Sequence, residues 1–303
     1  MRCGWEVDGR RPVVNWGSFR GGEHRRLACP EGGICTLIVL MLVLLLPGLC
    51  RAAFEEKPAG ARNAAMGGVV VAGGMDGWAG NPAHLLQVES ALAGVSLTPG
   101  LFNLPELSLL EGVLVVPFTG AAAGFSFARF GGELYRETEG ALSLAAVITE
   151  GAALGASARL LHLAIPGYGS ASSVAVDLGL VARLGPAFTF SMEAANCTGA
   201  TIGLCREEIP RSLGAAIEWN VEHSFSLVAE IRKERSLPAA LTWGGEVSLV
   251  RGFSLRLGGT TDYPGVSAGA GLAWMRLRFD YAWRWHSSLG GTHTLSLTVE
   301  DLF

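Results

Sequence analysis

Charge is scarce in this chain of 303 residues: 17% are Asp, Glu, Lys or Arg, against 50% apolar residues. That balance excludes a disordered chain and does not suit an ordinary soluble surface. The basic residues are scattered, so the electrostatic footprint of a nucleic-acid partner is missing. Past residue 55 there is no run of 18 or more apolar residues, which excludes a transmembrane helix there. Motifs for chemistry are missing too. The glycines between Gly67 and Gly74 lack the Lys-Ser/Thr of a phosphate cradle. His84, His162, His223, His286 and His293 have no metal-ligand spacing, and no Gly-x-Ser-x-Gly elbow occurs. The expectation is a protein that is not an enzyme and uses no cofactor or metal.

Cysteine is nearly confined to the start of the chain. Cys3, Cys29, Cys35 and Cys50 precede residue 52, leaving only Cys197 and Cys205 beyond it. In an oxidising compartment these two, close together in one polar loop, are a disulfide candidate.

What is present first is a targeting pattern. Arg25 and Arg26 precede an apolar run from Leu37 to Leu46 that ends at Pro47-Gly48, followed by Arg51 and the small residues Ala52 and Ala53. The run is short for a membrane-spanning helix and suits a signal peptide cleaved after Ala52. An uncleaved anchor is the alternative, and the long segment before the run is either an extended leader or an over-called start. Residues 1–52 are therefore set aside as leader and signal peptide.

The second feature is period two. From Met275 the odd positions read Met275, Leu277, Phe279, Tyr281, Trp283 and Trp285, while the even ones read Arg276, Arg278, Asp280, Ala282, Arg284 and His286. One face is apolar and the other charged. Similar segments recur, among them 173–184, 187–195, 211–219, 223–232 and 252–260, with long and short connections alternating. About fourteen such strands in succession cannot share one dry core. They suit a closed transmembrane antiparallel β-barrel, because closure alone satisfies every backbone hydrogen bond in hydrocarbon. The fold expected is all-β, with the barrel over residues 91–303, lipid outside and a wet lumen inside.

Alternation also assigns the charges. Arg159, Asp177, Arg183, Glu230, Arg276, Arg278, Asp280 and Arg284 are expected to face the lumen, with Glu218, Arg232, Glu246 and Arg256. There they either pair across strands or line a passage. Trp219, Trp243, Tyr281, Trp283 and Trp285 are expected in the outer aromatic belts. Phe303 closes an amphipathic strand, as in the signal read by the barrel assembly machinery, although Asp301 departs from that pattern.

Between leader and barrel lie Ala65-Met66-Gly67-Gly68, then Met75-Asp76-Gly77-Trp78, then Asn81-Pro82-Ala83. This order resembles the opening of the PorV/PorQ family and of the wider FadL-like barrels. Asp280-Tyr281-Ala282 followed by Leu289-Gly290-Gly291-Thr292-His293 is similar to their C-terminal hairpin. The resemblance implies that residues 53–90 form a hatch or plug carrying Met66, Gly67, Gly68, Asp76, Asn81, Pro82 and Ala83. It also implies passage of small hydrophobic compounds, or an accessory role beside secretion-system components. A structural or adhesive barrel without transport is the rival reading. Outer-membrane lipid is the expected surrounding.

Overall fold

The structure is a computed structural model and describes residues 53–55, 57–72, 80–221, 224–263 and 265–302. The leader, Gly73–Trp78 with Asp76, His223 and Phe303 lie outside the described residues.

Among the described residues sixteen strands follow one another. They are β1 (Leu92–Thr98), β2 (Leu109–Phe118), β3 (Ala121–Gly131), β4 (Arg136–Thr149), β5 (Ala152–Ile165), β6 (Gly169–Arg183), β7 (Phe188–Ala195) and β8 (Thr201–Ile202). The rest are β9 (Glu207–Glu208), β10 (Ser212–Val221), β11 (Phe225–Glu234), β12 (Ala239–Val250), β13 (Phe253–Thr260), β14 (Gly265–Trp274), β15 (Leu277–His286) and β16 (Gly290–Val299). All but β8 and β9 join, each antiparallel to its neighbours, into one closed cylinder of fourteen strands. The closing seam pairs Ala93 with Val299 and Leu97 with Leu295. Closure leaves no sheet edge for lipid to meet.

The alternation read from the sequence is the burial pattern of the wall. On β6, Ala175, Asp177, Gly179 and Val181 are buried, while Val174 and Leu178 are exposed. Leucine, valine, phenylalanine and tryptophan cover the outside, and Trp219, Trp243, Tyr281 and Trp285 are all exposed there. Trp283 is half-buried against Trp285, with ring centroids 6.0 Å apart. One end of the cylinder carries tight turns, such as Thr119-Gly120, Arg251-Gly252 and Met275-Arg276, and the other carries longer loops. The tight-turn end is the periplasmic one by the habit of such barrels.

The longest of those loops does not hold the expected disulfide. Cys197 and Cys205 are both free and exposed. Cys197 sits at the foot of the loop, where its thiol donates to the Ala194 carbonyl at 3.2 Å. Cys205 occupies the turn between β8 and β9. The short hairpin organises the loop in place of a crosslink: Ile202 and Ile209 turn inward and pack with Phe54, Leu161 and Ala175. Both thiols are therefore expected to react with maleimide without prior reduction. Labelling that appears only after a reductant would contradict this.

The N-terminal segment fills the lumen. A helix, α1 (Gly60–Ala65), lies against β14–β16, and a 3-10 turn over Pro82–Gln87 lies against β4–β6. Asn81 caps that turn by accepting from the Ala83 amide at 3.0 Å, with Pro82 in the first turn, where its missing N–H costs nothing.

Candidate functional site: the plugged lumen

Six residues of α1 can make few internal hydrogen bonds, so this segment depends on the wall. The wall supplies acceptors all round. Glu230 accepts from the Val70 and Val71 amides at 3.0 and 2.8 Å. Glu137 accepts from Phe54 N at 2.9 Å and Glu111 from Gly60 N at 3.3 Å. Ser296 accepts from Ala61 N at 2.7 Å, and Ser267 both accepts from Gly67 N and donates to the Ala65 carbonyl, each at 2.8 Å. Asn81 donates to the Met192 and Leu180 carbonyls at 3.0 and 3.3 Å.

Shape completes the fit. Several strands present a glycine where the plug approaches: a Cβ at Gly258 would lie 2.2 Å from Gly67 N, one at Gly155 2.4 Å from Ala83 N, and one at Gly179 1.9 Å from Asn81 Oδ1. A side chain at Gly258 or Gly155 would push plug backbone away from the wall, and one at Gly179 would displace the Asn81 and Pro82 side chains.

Charge locks the periplasmic side. Arg62 on α1 pairs with Glu246 at 3.0 Å, and Glu246 also pairs with Arg256, which reaches Asp280. Towards the outer side Lys57 pairs with Glu137 at 3.0 Å and lies 4.0 Å above the Phe130 ring. Arg159 pairs with Asp177 at 2.7 Å and with Glu139 at 3.6 Å.

His84 is fully buried between plug and wall, with Nε2 2.9 Å from Ser191 Oγ. Burial pushes its imidazole down from 6.5 to about 4; the Arg62 charge adds to this, while the nearby Gln87 side chain and Val71 backbone oppose it. The docked ring is thus neutral, whereas an undocked ring would titrate near 6.5. The undocked state binds the extra proton, so docking holds fully above pH 6.5 and weakens as pH falls from 6.5 towards 4. The loss is about 3 kcal/mol, flat below that window. The protection factors of the plug amides, taken relative to intrinsic exchange at each pH, are expected to be lower at pH 4.5 than at pH 7.5, and this difference should shrink in His84→Gln. Equal protection at both would contradict it.

Two of the cavities beside the plug lie towards the long-loop end. A vestibule of about 640 Å³ lies at the long-loop end and is lined by plug residues Lys57, Pro58 and Gly67, by loop residues Phe102 and Tyr263, and by Arg284 and His286 of β15. A smaller cavity of about 190 Å³ lies between plug and wall, lined by Glu111, Glu137, Glu139, Asp177 and Glu193 with Lys57 and Arg159.

The residues singled out from the sequence fall into three places. Met66, Gly67, Gly68, Asn81, Pro82 and Ala83 are in the plug, and Met66, Asn81, Pro82 and Ala83 are buried in its contact with the wall. Arg159, Asp177, Glu230, Asp280 and Arg284 lie along the lumen. Arg183 and Arg276 do not line it: Arg183 ends β6 and Arg276 sits in the turn before β15, both exposed at the periplasmic rim. Arg278 is near that rim and pairs with Glu300 at 3.0 Å. Sequence reasoning gave no role to Arg62, Glu111, Glu137 or the wall glycines. Only the glycines carried a usable signal, since a glycine on the inward parity of a strand marks a close approach.

No protein-family model matches the chain, and no curated protein is similar in sequence. Solved structures do resemble it. A Pseudomonas aeruginosa FadL homologue superposes with a TM-score of 0.60 at 13% identity, over 82% of this chain and 100% of that one. The P. putida toluene transporter TodX gives 0.59 at 12% identity, over 81% and 99%. The CymD monoaromatic hydrocarbon channel gives 0.57 at 14% identity, over 80% and 97%. The fold is that of the FadL-like channels. With an apolar outer wall, a closed hydrogen-bond network and a polar lumen, the chain is a bacterial outer-membrane barrel.

Proposed function

We propose that this barrel passes small hydrophobic compounds across the outer membrane, with residues 53–90 as its hatch and residues 1–52 as the leader lost on export. The observation that carries this reading is a roomy vestibule directly above a plug held by hydrogen bonds and ion pairs. The polar part of this contact can be exchanged for water as the plug moves, while small apolar clusters, such as Met66, Val69 and Val71 against Ala216 and Val228, seat it. The likeness of fold to channels named for toluene and monoaromatic hydrocarbons supports the same class of cargo. Uptake of toluene by cells lacking the gene is expected to fall several-fold and to return with the wild-type gene. An unchanged rate would contradict the proposal.

The order of Ala65-Met66-Gly67-Gly68 and Asn81-Pro82-Ala83, similar to PorV/PorQ, favours a second reading, an accessory in secretion. A deletion strain that takes up toluene normally but retains secreted cargo in its periplasm would support that role. Normal uptake and normal secretion together would leave a structural or adhesive barrel.

A further inference from the structure

One cation in the vestibule is held in no ion pair by the described residues. Arg284 of β15 lines the cavity, its Nε is buried without a hydrogen-bond partner, and it forms no ion pair among the described residues. Glu111 feels its charge but accepts elsewhere, from the Gly60 amide at 3.3 Å. The remaining charges are matched or outside: Lys57 holds Glu137, Arg232, Glu55 and Glu234 each have partners, and Asp262 is exposed on its loop. Arg284 is half-buried, with its Nε shielded and lacking an acceptor, and its planar fork suits a carboxylate held by two parallel hydrogen bonds.

The surroundings of Arg284 are aromatic and held in place. Thr292, directly across the strand pair from Arg284, accepts from the Phe102 amide at 3.0 Å and so draws the β1–β2 loop inward. Phe102 meets His286 edge to face at 5.6 Å, and His286 stacks on Tyr263 at 4.8 Å. Three loops and strands thus put π surfaces on one side of the cavity, next to the unmatched cation.

We infer that the vestibule binds an aromatic carboxylate, with Arg284 receiving the carboxylate and the Phe102–His286–Tyr263 wall receiving the ring. This rests on the vestibule being the entrance of the proposed passage. Among compounds that reach the mouth, the site would favour anionic aromatic ones over the neutral hydrocarbons named for CymD and TodX.

The test uses the purified full barrel in detergent at neutral pH, its fold checked by heat-modifiable mobility. Binding of 2-naphthoate is followed by fluorescence anisotropy, with 2-naphthylmethanol as the neutral isostere and dodecanoate and inorganic phosphate as competitors. The acid is expected to bind at least about tenfold tighter than the alcohol. Arg284→Gln should abolish the preference, Arg284→Lys keep part of it, and Arg251→Gln, in a periplasmic turn, leave it unchanged. Equal binding of acid and alcohol, or a preference that survives Arg284→Gln, overturns the inference. Displacement by phosphate or dodecanoate at the concentration of naphthoate overturns it as well, because the site would then read only charge or only apolarity. If the preference is found while gene deletion leaves toluene uptake unchanged, the passage reading fails and the site stands. The opposite pattern removes the site alone.

Discussion

Glu230→Ala is expected to detach the middle of the plug while leaving the barrel closed. Glu230 is fully buried, and one of its oxygens takes both the Val70 and the Val71 amide. Alanine would leave two buried N–H groups without their acceptor, at about 1–3 kcal/mol each. The strand pairing of β11 with β10 and β12 uses backbone groups and does not change. Exchange of the Val70 and Val71 amides should therefore accelerate by more than about tenfold, while strand amides keep their protection. Glu230→Gln retains one acceptor oxygen and should show a smaller effect. Unchanged exchange in the alanine variant would mean that the carboxylate does not hold the plug.

Gly258→Val attacks the same interface by shape. Its Cβ would stand 2.2 Å from Gly67 N and 2.3 Å from the Met66 carbonyl carbon, both backbone atoms. No rotamer relieves such a clash, so Met66 to Gly68 must move off the wall, at about 1–3 kcal/mol or more. Valine itself is favoured in strands, so the barrel should assemble with normal heat-modifiable mobility. The plug should become sensitive to added protease, and the ion current through the barrel should rise. A variant as resistant as wild type would show that plug and wall do not meet as described.

The wall of this protein is legible from its sequence because each strand carries its own instruction. One face meets lipid and the other meets polar lumen, so the alternation is complete within about ten residues and needs no knowledge of distant chain. The segment expected at 276–286 is β15 (Leu277–His286), and that at 211–219 is β10 (Ser212–Val221). Parity gives the face of a residue but not its depth along the axis. Arg183 and Arg276 show the difference: their parity is inward, yet they lie at the rim, where water replaces any partner.

The plug is the opposite case. Its partners are remote, Arg62 with Glu246 and Ala61 with Ser296, and nothing local in Ala61-Arg62-Asn63 announces them. The inward glycines were the available clue, because Gly155, Gly179 and Gly258 stand on the same parity as buried polar residues of their strands. Cys197 and Cys205 show a limit of another kind. Proximity in sequence suggested a bond, but the loop folds as a two-stranded hairpin with Ile202 and Ile209 packed inward, and both thiols stand free and exposed.

The central claim is that the cylinder is stoppered by its own N-terminal segment. Planar-bilayer recording tests it most directly, comparing the wild-type barrel with one lacking residues 53–88. Wild type is expected to conduct rarely or not at all, and the shortened barrel in large, steady steps. Equal conductance from both would contradict the account.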